Sequence, residues 1–274
     1  MPRFAVGLEY EGTAYAGWQS QQPGVASIQE NAETAFSRVA DSPVSLVCAG
    51  RTDAGVHARM QVAHFESDAV RPLRGWALGA NSHLPRDISV AWVLPVPAHF
   101  HARYSAESRT YRYVIFNRGY RSALMSKRAT HIHRPLDHER MQTAAPLLLG
   151  THDFTAFRSS ECQAKSPVRR LTQVAVARAG NLITIDVAAN AFLHHMVRNI
   201  VGLLIAIGQG EREPAWAGEV LESRDRTRGH VTAPAEGLYF WGVEYPEVFG
   251  LPTAPVTSVA AAGAPIRYDR ASFG

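Results

Sequence analysis

The stretch Phe192 to Ile207 constrains the chain most. It is apolar nearly all round, carrying Phe192, Leu193, Met196, Val197, Ile200, Val201, Leu203 and Leu204. A helix of this kind belongs in a protein interior. Arg198 sits in its middle, and His195 three residues earlier shares its face. A buried guanidinium without an anion is costly. The fold therefore has to bring a carboxylate or phosphate close to it. Asp53 is one candidate and Asp186 on a neighbouring strand is another. A side chain that reaches the surface along its apolar stem is the third solution.

The elements around this helix alternate. Phe4 to Tyr10 reads as a strand. Ser27 with Glu30 forms a capping box, and Ile28, Ala32, Ala35, Phe36 and Val39 make a helical stripe to Ala40. Strands are expected over 44–48, 61–65 and 88–96, the last ended by Pro95 and Pro97, with a helix from Pro72 to Ala80. The second half repeats the plan. A strand covers 110–116, and a helix capped by Asp137 runs to Leu149 and stops at Gly150. Strands 168–177 and 182–189 form a hairpin through Gly180-Asn181. After helix 192–207 come a shorter helix over 214–221 and a strand over 238–245. The order implies an α+β fold of two small domains, each a sheet with helices on one face. The division falls at 104/105, giving domains 1–104 and 105–249. From about Gly250 the chain is rich in Ala, Pro, Gly, Thr and Ser without periodicity, as in a poorly ordered tail over 250–274.

Between strands 44–48 and 61–65 lies Gly50-Arg51-Thr52-Asp53-Ala54-Gly55-Val56-His57-Ala58. The glycines permit a sharp turn or a close approach, and they frame an arginine and an aspartate at the mouth of a sheet. A tight turn explains such a composition as readily as chemistry does.

The segment 100–128 holds seven arginines or lysines against one acid, Glu107. Phe100, Tyr104, Tyr111, Tyr113, Phe116 and Tyr120 are interleaved with them. Charge that tracks phosphates among rings that stack bases is the pattern of single-stranded nucleic-acid sites. A solvated strand face over core tyrosines is the alternative. The net charge of +4 is compatible with a polyanionic partner.

Other chemistries find little support. Cys48 and Cys162 are far apart, which argues against a disulfide framework or a zinc ribbon and for a reducing, cytoplasmic compartment. His99-x-His101, His131-x-His133 and His194-His195 offer two ligands each, too few for a metal site. No phosphate-cradling glycine loop or nucleophile elbow occurs. The longest uncharged apolar run, Ile200 to Ile207, is too short to span a bilayer.

The ordered motifs resemble the tRNA pseudouridine synthase A family. They are Ala14-Tyr15-Ala16-Gly17-Trp18-Gln19, the loop at 50–58, Phe100-His101-Ala102-Arg103-Tyr104, Tyr111-Arg112-Tyr113, and Asp153 to Arg158. Asn190 to Gly202 and Ala235-Glu236-Gly237-Leu238-Tyr239 complete the set, which covers roughly 4–250. One departure is Tyr10-Glu11-Gly12, where the family often has aspartate in the middle. The resemblance implies two α+β domains of ferredoxin-like or RRM-like form. Their antiparallel sheets join into one surface, with the active site in the cleft between them. It also implies isomerisation of uridine to pseudouridine in the anticodon stem-loop of tRNA, without cofactor or metal, by a homodimer in which one tRNA touches both subunits.

By the same resemblance Asp53 is the catalytic carboxylate, Arg198 its partner, and Tyr111 the ring that stacks on the flipped uracil and handles a proton. Arg51 enters the stem as the base leaves. Arg71, Arg103, Arg109, Arg121 and Lys165 hold phosphates. Residues Phe100, His101, Ala102, Arg103 and Tyr104, and Glu161, Cys162, Gln163, Ala164 and Lys165, lie against tRNA. Two rival readings use the same residues. One is a catalytically silent RNA-binding protein on this scaffold. The other is a nucleoside hydrolase built on Asp53, for which His57 is the available water-activating base.

Overall fold

The computed structural model describes residues 1–22 and 24–252. The expected tail therefore lies, from residue 253 on, outside the described residues. Local signals set most element ends. Helix α1 (Ile28–Ala40) starts at Ser27, whose hydroxyl accepts from the Glu30 amide. Strand β1 (Arg3–Tyr10) precedes it. Strand β2 (Val47–Cys48), strand β3 (His57–Glu66), helix α2 (Leu73–His83) and strand β4 (Ile88–Val96) follow.

One expectation in this half is corrected. The strand foreseen over 44–48 is confined to Val47–Cys48. The Val44 and Leu46 amides donate instead to Ser37 Oγ (2.9 Å) and Glu33 Oε1 (2.8 Å) of α1. Side chains of the helix thus take the donors that a ladder would use. The strand over 88–96 appears as foreseen: β4 runs to Val96, with Pro95 inside it. β4 is an edge strand, where a missing N–H is tolerated.

The second half runs β5 (Ser108–Asn117), β6 (Thr130–Ile132), helix α3 (His138–Ala144), β7 (Gly150–Asp153), β8 (Val168–Ala179), β9 (Leu182–Ala189), helices α4 (Met196–Gly208) and α5 (Trp216–Ser223), and β10 (Leu238–Glu244). Asp137 caps α3 as foreseen, accepting from the Glu139 and Arg140 amides. Pro146 then forces a tighter 3-10 turn over Ala145–Leu148. Helix α4 begins four residues later than the apolar pattern suggests. His195 precedes it in the left-handed region, at φ +61°. It therefore flanks the helix and does not lie one turn from Arg198 upon it.

The strands form one sheet in the order β4-β1-β3-β10-β5-β9-β8-β7, with β2 beside β3 and β6 beside β5. Neighbours are mostly antiparallel. The join is β10, which pairs antiparallel with β5 and parallel with β3 through Tyr239↔His57 and Phe240↔Ala58. The last strand of the second half thus stitches the sheets into one α+β surface.

Phe4, Phe36, Phe65 and Trp76 pack as an aromatic cluster under α1 and α2, with ring centroids 4.9–6.1 Å apart. Helix α4 is buried along almost its whole length, as its composition requires. Among the described residues no helix is long and apolar enough to cross a membrane.

Phe240 is fully buried at the seam, with its ring 5.1 Å from that of Tyr111. Phe240→Ala is expected to lower unfolding free energy by about 3–5 kcal/mol, read as a fall in the urea midpoint.

Candidate active site

The loop that carries Asp53 is held from three sides. Gln61 donates to the Gly50 carbonyl at 2.6 Å, and the Ala49 amide bonds the Val62 carbonyl at 2.8 Å. The Trp18 amide donates to the Thr52 carbonyl at 3.0 Å, and the Gly55 amide to that of Tyr15. The hydroxyls of Tyr10 and Thr52 are 2.9 Å apart. Gly17 makes this contact possible. It sits at φ +103°, and a Cβ there would fall 2.5 Å from the Thr52 carbonyl oxygen. The motif 14–19, one of those that carry the family resemblance, is thus the clamp of the Asp53 loop.

Arg198 reaches Asp53. Its Nη1 lies 3.5 Å from Asp53 Oδ2, while its Nε donates to the Ala233 carbonyl at 2.7 Å. The rival anion Asp186 is engaged elsewhere, by Arg112, through two hydrogen bonds of 2.6 and 2.7 Å. Two further side chains approach Asp53. His194 Nε2 lies 3.4 Å from Oδ1, and His195 Nε2 lies 3.4 Å from Oδ2. Sequence reasoning weighed this pair only as metal ligands and missed it as neighbours of the carboxylate. Only the left-handed residue at 195, invisible in the pattern, turns the two rings the same way. Burial, more than any charge, lowers the pKa of His195 below the ordinary histidine range, so it is neutral at pH 7.

Asp53, His194 and His195 are the group of three possible metal ligands among the described residues, with ligand atoms within 4.8 Å of one another. The Arg198 guanidinium on the same carboxylate opposes a cation there.

Tyr111 lies beside this cluster. Its ring meets Phe192 and Phe240 edge-on at 5.0 and 5.1 Å. A Cβ on Gly50 would be 3.7 Å from its hydroxyl. Burial first, and the charge of Asp53 second, push the Tyr111 phenol far above its ordinary pKa. The phenol is therefore protonated at neutral pH. His57 is enclosed. Its Nδ1 accepts from the Gly12 amide at 3.0 Å, which leaves Nε2 to donate to the Glu236 carbonyl. Burial keeps it neutral. With both nitrogens occupied and the ring against Tyr239, it has no open position for a water. His57 is therefore not placed to be the base the hydrolase reading gave it.

The residues expected against RNA divide. Arg51, Arg103, Tyr104, Arg121, Glu161, Gln163 and Lys165 are exposed, and His101 and Ala164 are half-buried. Tyr104 stands out at 77% exposure, between the His101 ring and the Arg103 guanidinium. Phe100 and Ala102 are closed to solvent. The Phe100 ring packs on Tyr245 and Phe249, so these two hold the segment in place from inside. Cys162 is buried, and its Sγ accepts from the His194 amide at 3.4 Å. Arg109 is not a surface phosphate ligand. It is buried, and its guanidinium donates to the carbonyls of Ala106, Asn190, Ala49 and Arg103. Arg71 follows the far end of β3 and bonds the Val39 and Val70 carbonyls. The ten residues of β3 separate it from the Asp53 loop, about 30 Å at strand rise.

A mixed sheet bearing an aspartate loop against an arginine helix, under an exposed basic and aromatic rim, has the make-up of an RNA-modifying enzyme. The chain belongs to the tRNA pseudouridine synthase family, whose model matches residues 8–105 and 144–246. Its relatives there are A-type enzymes. The tRNA pseudouridine synthase A of Pseudomonas aeruginosa is 56% identical over 250 residues, 91% of this chain and 88% of that protein. That of Methylococcus capsulatus is 55% identical over 249 residues, 91% and 92% of the two chains. That of Alcanivorax borkumensis is 52% identical over 256 residues, 93% and 96% of the two.

Gly17→Ala is expected to displace the Asp53 loop and destabilise the fold by about 1–3 kcal/mol. Turnover should fall further than stability accounts for, which paired thermal-melt and activity measurements on the variant would reveal.

Proposed function

We propose that the protein converts uridine to pseudouridine in the anticodon arm of tRNA, with Asp53 as the reacting carboxylate. The observation that carries this reading is the placement of Asp53 against Arg198, two residues far apart in the chain and on opposite sides of the join. Halves 1–104 and 105–249 each supply part of the site. A carboxylate ionised at neutral pH serves as a nucleophile or stabilises a cation at the ribose anomeric carbon. The bond from that carbon to the ring nitrogen breaks. The uracil turns over, carbon 5 bonds to the ribose in its place, the proton on carbon 5 is lost, and the ring nitrogen freed from the ribose takes up a proton. No external oxidant, reductant or energy source enters this balance.

The ring of Tyr111 is the platform on which the uracil stacks while it turns. Its raised pKa suits it to donating a hydrogen bond. Arg51 is exposed two residues before Asp53 in the sequence and fills the stem as the base leaves. Extrusion from a helix costs a few kcal/mol, and a group that takes the vacated space offsets part of it. Arg103, Arg121 and Lys165 hold phosphates, with Tyr104 exposed for stacking beside Arg103. Arg71, a strand's length away, meets a more distant part of the stem. The working unit is a cytoplasmic homodimer, and a solution mass of twice the 30.0 kDa chain tests its assembly.

Incubation with unmodified tRNA should create carbodiimide-dependent primer-extension stops in the anticodon arm. An unchanged pattern would refute the reading. Asp53→Asn should abolish turnover while tRNA affinity stays within a few-fold, because phosphate contacts dominate binding. Affinity should fall steeply with salt, at a log–log slope of roughly 0.7–0.9 for each phosphate held. A flat dependence measured by filter binding would contradict the basic rim.

A further inference from the structure

We infer that His194 and His195 are positioning residues for Asp53: together they fix the plane of its carboxylate from both oxygens. The inference rests on the reading of Asp53 as the reacting group.

A carboxylate turns easily about its last torsion, whose preferences are broad. A partner on one oxygen does not set the plane of the group. Arg198 is such a partner. Its Nε is committed to the Ala233 carbonyl, and its Nη1 meets Oδ2 alone. His194 supplies the contact to Oδ1, and His195 a second contact to Oδ2. At 3.4 Å these are longer than settled hydrogen bonds. Catalytic contacts of this kind commonly tighten when substrate binds.

The backbone is arranged to produce the pair. Consecutive side chains diverge on a helix and point to opposite faces of a strand. Here the rings of consecutive residues converge, with centroids 4.0 Å apart and planes 36° from parallel. The left-handed conformation of His195 makes this possible. A β-carbon disfavours that conformation, and strain of this sort gathers at functional sites. The position also precedes α4, where a short polar side chain would cap the helix, yet His195 makes no capping bond. Both residues are tied down. The His194 carbonyl accepts from the Ser159 amide at 3.1 Å, and its amide meets Cys162 Sγ. The His195 carbonyl accepts from the Asn199 amide at 2.9 Å. The segment 159–165 at the RNA rim is thereby joined to the carboxylate through His194.

The test uses tRNA turnover by the full chain in four variants. His194→Ala removes one contact. His194→Gln restores an N–H near the position of Nε2. His195→Asn tolerates the left-handed backbone but is too short to reach Oδ2. Asp53→Asn is the control. His194→Ala and His195→Asn should each lower kcat about tenfold or more, with KM for tRNA within about threefold. His194→Gln should recover most of the loss. Turnover of both His194→Ala and His195→Asn within about twofold of the parent would overturn the inference, as would a glutamine variant no faster than the alanine. Should His194→Ala not fold, His195→Asn decides alone. An active Asp53→Asn would sink the assignment of Asp53 itself, a result separate from either histidine outcome.

Discussion

The structure depends on a short parallel pairing. β10 touches β3 through only two residue pairs, at His57 and Ala58, and β5 along its length. Those two residues close the loop that carries Asp53. The strand that joins the halves therefore also fixes the end of the catalytic loop. Phe240, one of the pairing residues, packs between Gly50 and Tyr111. Buried Arg109 works alongside it. By gathering carbonyls from residues 49, 103, 106 and 190 it ties the loop, the inter-half segment and the end of β9 to one point.

The two arginine–aspartate pairs are built differently. Arg112 and Asp186 lie across neighbouring strands in a bidentate bond, with Trp241 4.1 Å from the guanidinium. That geometry satisfies both charges. Arg198 and Asp53 meet at 3.5 Å, and the Asp53 side chain keeps 27% of its surface exposed. Its second oxygen has the His194 Nε2 at 3.4 Å, beyond an ordinary hydrogen bond. The first pair is closed and holds the sheet. The second is open, as a group that must meet a substrate has to be.

Features set by short-range chemistry were legible in the sequence. The Ser27 and Asp137 caps, the Gly180-Asn181 hairpin and the buried character of 192–207 follow from local rules and appear as read. That Arg198 would need a partner was also readable from its place in an apolar helix, although its side chain stays half-buried. Which anion it finds was not, since Asp53 and Asp186 differ only in what the fold sets beside them. The failures share this cause. Val44 and Leu46 carry strand-like side chains, but α1 takes their amides. Arg109 has the charge of a phosphate ligand, but four carbonyls surround it. His194 and His195 become neighbours of Asp53 only through one backbone torsion that no periodicity records.

The placement of β10 has a consequence for biosynthesis. Among the described residues it is the last strand, and it lies in the middle of the sheet. A nascent chain halted before residue 238 could form much of the surface of each half. It would have no strand between β3 and β5, and so no joined cleft around Asp53. The ribosome must deliver almost the whole described polypeptide before β3 and β5 are joined, and a truncation that removes β10 removes that join.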